Sequence, residues 1–91
     1  MKLSGHHRTT LDQLFAHPVS HNVHWRDALS LLEAVGTVEQ EHDGRVNVTV
    51  EGRSQSLHPP HRHHEHALTA AQVLDLRRLL SGAGVTPETA R

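Results

Sequence analysis

The segment from Thr37 to Pro60 dictates most of what this chain can become. Arg45-Val46-Asn47-Val48-Thr49-Val50 alternates strictly, so an extended backbone puts three valines on one face and Arg45, Asn47 and Thr49 on the other. Asp43-Gly44 before it is a two-residue type I′ hairpin signal, and Glu51-Gly52-Arg53 after it forms a second turn. Strands over Thr37–His42 and Ser54–His58 complete an antiparallel meander, ended by Pro59-Pro60. A sheet with one apolar face must bury that face against other elements.

The covering elements lie on both sides of the meander. Thr9 or Thr10 can cap a short helix carrying Leu11, Leu14 and Phe15, with Pro18 ending it. A second helix begins near His24 and aligns Trp25, Ala28, Leu29, Leu32 and Val35 on one face. Gly36 is expected to stop it as a left-handed residue. After a polar loop over His61–Leu68, Thr69-Ala70-Ala71-Gln72 matches a capping box. The helix that follows carries Val73, Leu76, Leu80 and Ala83, with Leu79 beside them, and Gly82, Gly84 and Pro87 close it. The expected fold is α+β: α-α-β-β-β-α, helices over one face of a three-stranded antiparallel sheet. Residues 1–8 lack apolar periodicity and read as a disordered tail, 9–85 as a single domain and 86–91 as a frayed end.

Ninety-one residues suit one domain that buries roughly 60–65% of its unfolded surface. With 35% hydrophobic residues, and Phe15 and Trp25 as the large aromatics, the core must be mainly Leu, Val and Ala. The absence of cysteine excludes disulfides, thiolate metal sites and thiol nucleophiles. The first eight residues do not form a secretory signal, no apolar stretch approaches a membrane span, and a cytoplasmic location is expected. The formal charge of −1 is a poor electrostatic footprint for a nucleic-acid binder. Two features offset it: eleven histidines titrate in the cellular range, and eight of the nine basic residues are Arg, which forks to phosphate.

Thr10-Leu11-Asp12-Gln13-Leu14-Phe15-Ala16-His17-Pro18 and Val23-His24-Trp25-Arg26-Asp27-Ala28-Leu29-Ser30-Leu31-Leu32 form a recognisable series. It continues through Ala34-Val35-Gly36, Asp43-Gly44-Arg45-Val46, Leu57-His58-Pro59-Pro60-His61, Leu76-Arg77-Arg78-Leu79-Leu80 and Gly84-Val85. In order and spacing this resembles the HicA-like bacterial toxins, over roughly residues 9–85. The resemblance implies a fold like a double-stranded-RNA-binding domain. It also implies a toxin that cleaves messenger RNA without a cofactor and is neutralised by an antitoxin of HicB type. The best-known members carry a Gly-Ser-His triplet at the start of the second strand, whose histidine is required for toxicity. Here those positions read Asp43-Gly44-Arg45, and an arginine cannot serve as a general base near neutral pH.

Cleavage of RNA without metal needs a base for the 2′-hydroxyl and an acid for the leaving 5′-oxygen, each worth about 10²–10⁴ in rate. His58 and His61, separated by a rigid Pro-Pro, are the candidates for those roles. Arg45, Asn47, Arg77 and Arg78 are the candidate RNA contacts, Arg45 holding phosphate. The plainer alternatives stay open: a proline turn with solvent-facing histidines, and helix arginines that only carry charge. Trp25 can stack on a base, but its place on an apolar helix face points to the core. His58, His61, His63, His64 and His66 also suit Zn, Ni or Cu, although no cysteine or fixed helical spacing supports them. A non-catalytic RNA- or protein-binding module on the same fold is the remaining alternative.

Overall fold

A computed structural model describes residues 3–60 and 66–89. The elements are α1 (Gly5–Leu14), α2 (Trp25–Val35), β1 (Thr37–Gln40), β2 (Val46–Val50), β3 (Arg53–Leu57) and α3 (Ala70–Gly82). They follow the expected α-α-β-β-β-α order. The sheet is antiparallel with strand order β1-β2-β3. Val46, Val48 and Val50 are fully buried with Leu57 on its inner face, against which α2 and α3 pack; α1 packs on both helices. Trp25 is 1% exposed and belongs to this core, not to a nucleic-acid platform.

Within the tail expected over residues 1–8, residues 5–8 instead open α1. Ser4 caps α1 by accepting the His7 N–H at 3.1 Å, and Leu3 is buried. Thr9 and Thr10, expected as caps, sit inside the helix and donate their hydroxyls to the Gly5 and His6 carbonyls at 3.0 and 3.2 Å. The inner stripe of α1 is His7, Thr10, Leu11 and Leu14, so two polar residues take places that usually hold hydrophobes. Each is satisfied locally: His7 Nε2 lies 2.9 Å from Ser30 Oγ on α2. The exposed His6 meets Asp27 Oδ1 at 3.0 Å, giving α1 a second polar link to α2. Near the other end, Thr89 Oγ1 accepts from the Thr86 N–H and donates to the Gly84 carbonyl, both at 2.8 Å.

On α2 the buried residues are Trp25, Ala28, Leu31 and Leu32, whereas Leu29 and Val35 are only half-buried. Packing against α1 on one side and the sheet on another widens the buried arc to include Leu31. Gly36 is extended, with φ −165° and ψ −148°, and is not the left-handed stop expected. Glycine is required there by proximity: a Cβ would overlap the Thr49 carbonyl oxygen and lie 3.0 Å from Val50 Cγ2.

The first hairpin does not have the turn type that its sequence suggests, and the second has it instead. Gly44 N–H donates to the Glu41 carbonyl at 3.2 Å and Glu41 N–H to the Arg45 carbonyl at 2.8 Å, with Gly44 at φ 90°. That is a three-residue loop ending in a left-handed glycine, in place of a two-residue type I′ turn at Asp43-Gly44. The type I′ geometry belongs to Glu51 (φ 49°) and Gly52 (φ 78°), between the paired Val50 and Arg53.

At the C-terminal helix the capping box is present, Gln72 N–H donating to Thr69 Oγ1 and Thr69 N–H to Gln72 Oε1. Left-handed Gly84 closes α3 in a Schellman arrangement: Val85 N–H donates to the Leu80 carbonyl and Gly84 N–H to that of Ser81. The final residues of the loop expected over His61–Leu68 are paired: Leu68 N–H donates to the Val23 carbonyl and Trp25 N–H to that of His66.

Candidate functional site

Helices occupy one face of the sheet, leaving a polar face with Thr37 and Glu39 on β1, Asn47 and Thr49 on β2, and Ser54 and Ser56 on β3. These side chains are joined across strands. Asn47 Nδ2 donates to Glu41 Oε1 at 2.6 Å and Asn47 Oδ1 accepts from Ser56 Oγ at 2.7 Å; Thr49 and Ser54 hydroxyls are 3.0 Å apart. Serines, threonines, carboxylates and an amide make no stacking platform for bases. The Asn47 amide, a candidate RNA contact, is already engaged on both sides by the protein.

Register brings two of the predicted residues to one place. Gln40 pairs with Val46 and Val46 with Leu57, so Glu41, Arg45 and His58 are the next residues outward on the three chains. Because Val46 and Leu57 point inward, strand alternation assigns Arg45 and His58 to the polar side, and both are exposed. The meander turns His42 to the same end, in the β1–β2 loop, where it is also exposed. The sequence reading makes His42 the last residue of the first strand and gives it no role, whereas β1 ends at Gln40 and His42 falls in the loop. His61 lies outside the described residues.

Arg45 is held by its own loop. Its Nε lies 2.8 Å from Asp43 Oδ2, and its backbone N–H donates to Asp43 Oδ1 at 3.1 Å. The hydrogen bond from that N–H, aided by the guanidinium charge and opposed by slight desolvation, keeps the Asp43 carboxyl below its ordinary pKa. Both side chains are about half exposed, 45% for Arg45 and 56% for Asp43, so the pair sits in water.

The two helix arginines divide sharply. Arg77 reaches from α3 to the C-terminus of α1, its Nε donating to the Leu14 carbonyl at 2.9 Å and Nη2 to that of Ala16 at 3.0 Å. Its guanidinium also lies 5.9 Å from the Phe15 ring centre. Arg77 therefore satisfies the free carbonyls of a helix end, a structural task that its place among the candidate RNA contacts did not include. Arg78 is 80% exposed, with Asp75 3.7 Å away, and remains at the surface.

Among the described residues no group of three or more His, Asp or Glu side chains is placed to hold a metal ion. Of the histidines considered for metal, His58 and His66 are described and exposed; His61, His63 and His64 lie outside the described residues. No helix among those residues is long and apolar enough to cross a membrane. The chain matches no family model, no curated protein and no solved structure.

Proposed function

We propose that this chain is a HicA-like component of a toxin–antitoxin pair that engages RNA in the cytoplasm at the open end of its sheet, where Arg45 meets phosphate and His58 transfers protons. One observation carries the reading: the strand register makes Arg45 and His58 outward neighbours beside the Pro59-Pro60 turn. An arginine that forks to a phosphate next to an imidazole, a side chain that can serve as general acid or general base, is the minimum equipment for metal-free cleavage. In that reaction a base takes the 2′-hydroxyl proton, the 2′-oxygen bonds to phosphorus, and the 5′-oxygen leaves with a proton from an acid. The products are a 2′,3′-cyclic phosphate and a 5′-hydroxyl. His58 fills one role, and His42 or His61 supplies the second imidazole. A partner of HicB type would cover this end and block access.

The test is incubation with a long messenger RNA at about pH 6 and about pH 7.5, either side of the ordinary histidine value, with and without EDTA. Cleavage that survives EDTA and is lost in His58→Ala or Arg45→Ala, with the fold intact by circular dichroism, supports the reading. Intact RNA with the folded wild-type protein removes the catalytic part of it.

A second reading, a non-catalytic RNA- or protein-binding module, is favoured by a specific observation. Arginine stands at position 45, where the resemblance calls for histidine, and it is paired with Asp43. That version keeps RNA binding dependent on Arg45, shows no cleavage, and gives no growth arrest when the protein is induced alone.

A further inference from the structure

The hairpin that presents Arg45 also presents a carboxylate directly to it. Asp43 Oδ2 lies 2.8 Å from Arg45 Nε, at the distance and on the donor that a phosphate oxygen would use. Asp43 Oδ1 accepts the Arg45 backbone N–H at 3.1 Å, so the loop itself orients the carboxylate toward the guanidinium. Gly44, left-handed at φ 90°, folds the loop so that residues 43 and 45 face each other.

Resting on the RNA reading above, we infer that Asp43 is a built-in competitor for the Arg45 guanidinium, occupying the phosphate position until RNA displaces it, and so sets the affinity of this end of the sheet. The pair is exposed on both sides, so displacement is cheap and the gate is weak. Exposed ion pairs correspond to about a two- to fivefold factor in an equilibrium, and removal of the competing charge should tighten RNA binding by that much. The gate also confers selectivity. A phosphodiester, with two free oxygens, can replace a monodentate carboxylate contact by a forked one, whereas a carboxylate on another protein that makes one contact gains little by exchanging places with Asp43.

Asp43→Asn is the informative variant, because asparagine keeps the oxygen that accepts the Arg45 N–H while it removes the charge and the second oxygen that faces Arg45 Nε. Glu39→Gln makes the same charge change on the same sheet face at an exposed position away from the loop. The probe is a fluorescein-labelled oligouridylate, titrated by anisotropy at low and at moderate salt with wild type, D43N, E39Q, R45A and the D43N/R45A double variant. The expected result is two- to fivefold tighter binding by D43N, a smaller gain for E39Q, and no gain for D43N once Arg45 is gone. Equal gains in D43N and E39Q would reduce Asp43 to general electrostatics and overturn the competitor role. So would a D43N gain that persists in the R45A background, or unchanged binding in D43N when R45A weakens it. Those three outcomes leave RNA binding at Arg45 standing. No binding of oligouridylate by folded wild type or D43N at either salt would overturn both the RNA reading and this inference.

Discussion

Arg77 and Arg78 are adjacent and identical in type, yet replacing them should have very different consequences. Arg77→Ala removes two hydrogen bonds from a charged donor to the Leu14 and Ala16 carbonyls, at 2.9 and 3.0 Å, and the contact with Phe15. Hydrogen bonds involving a charged partner contribute about 1.5–3 kcal/mol each when well buried, and a cation–π contact about 0.5–1 kcal/mol. Arg77 is half-buried, so the lower ends apply and part of the loss is recovered when water solvates the carbonyls. The net cost should be about 2–3 kcal/mol, which for a domain of this size lowers Tm by about 10–20 °C. Arg77→Lys keeps the charge but not the fork, and should fall between wild type and R77A. Arg78→Ala, at an 80% exposed side chain, should stay within about 0.5 kcal/mol of wild type. Thermal and urea unfolding followed by circular dichroism measure all three. Equal stability of R77A and R78A would refute the argument, and weakened RNA binding in R77A with an unchanged Tm would return Arg77 to the binding surface.

Other positions give equally definite expectations. Glu51 occupies the left-handed region at φ 49° in a type I′ turn, so Glu51→Asn should stabilise by about 0.5–1 kcal/mol in urea unfolding. Gly36→Ala should cost about 1–3 kcal/mol, because its Cβ runs into the Thr49 carbonyl; Gly5→Ala, with open space around it, should cost nothing in the same assay. Asp43, with its folded pKa lowered, contributes stability that is complete above its unfolded value and is lost as pH falls through the folded one. The stability difference between wild type and D43N should therefore be constant from neutrality down to about pH 4 and shrink below it, as acid unfolding curves of the two will show.

The sheet was legible because an alternating Val46-Val48-Val50 run between turn residues admits few other structures, and α3 because its capping box and glycine close are local chemistry. The start of α1 was not, since its inner stripe uses His7 and Thr10, and only the partners Ser30 and the His6 carbonyl make those residues suited to the interior. Turn type was ambiguous for a similar reason. Asp-Gly supports both a type I′ pair and a loop ending in left-handed glycine, and the choice depends on strand register, which no window of a few residues contains. Gly36 illustrates a further limit: its requirement comes from a carbonyl thirteen residues away in sequence, across a strand pair. Of the site, the neighbourhood of Arg45 and His58 followed from the meander alone, whereas the engagement of Arg77 depended on where α1 ends.

Both arginines of the proposed RNA surface for which the structure gives close partners are held by the protein's own oxygens, and the kind of oxygen decides what each can do. Arg77 donates to two main-chain carbonyls that are the end of a helix; RNA could take those two N–H groups only by leaving the carbonyls unsatisfied and loosening α3 from α1. Arg45 faces a side-chain carboxylate in water, and exchanging that carboxylate for a phosphate leaves no buried group without a partner, because Asp43 is itself exposed and returns to solvent. Of these two arginines, Arg77 is bound into the architecture and Arg45 is held reversibly. The reversible one lies at the end of the sheet where His42 and His58 also emerge. With a formal charge of −1 the chain cannot depend on a broad basic field to gather RNA, so recognition through this end of the sheet must be local, by a displaceable arginine beside two imidazoles.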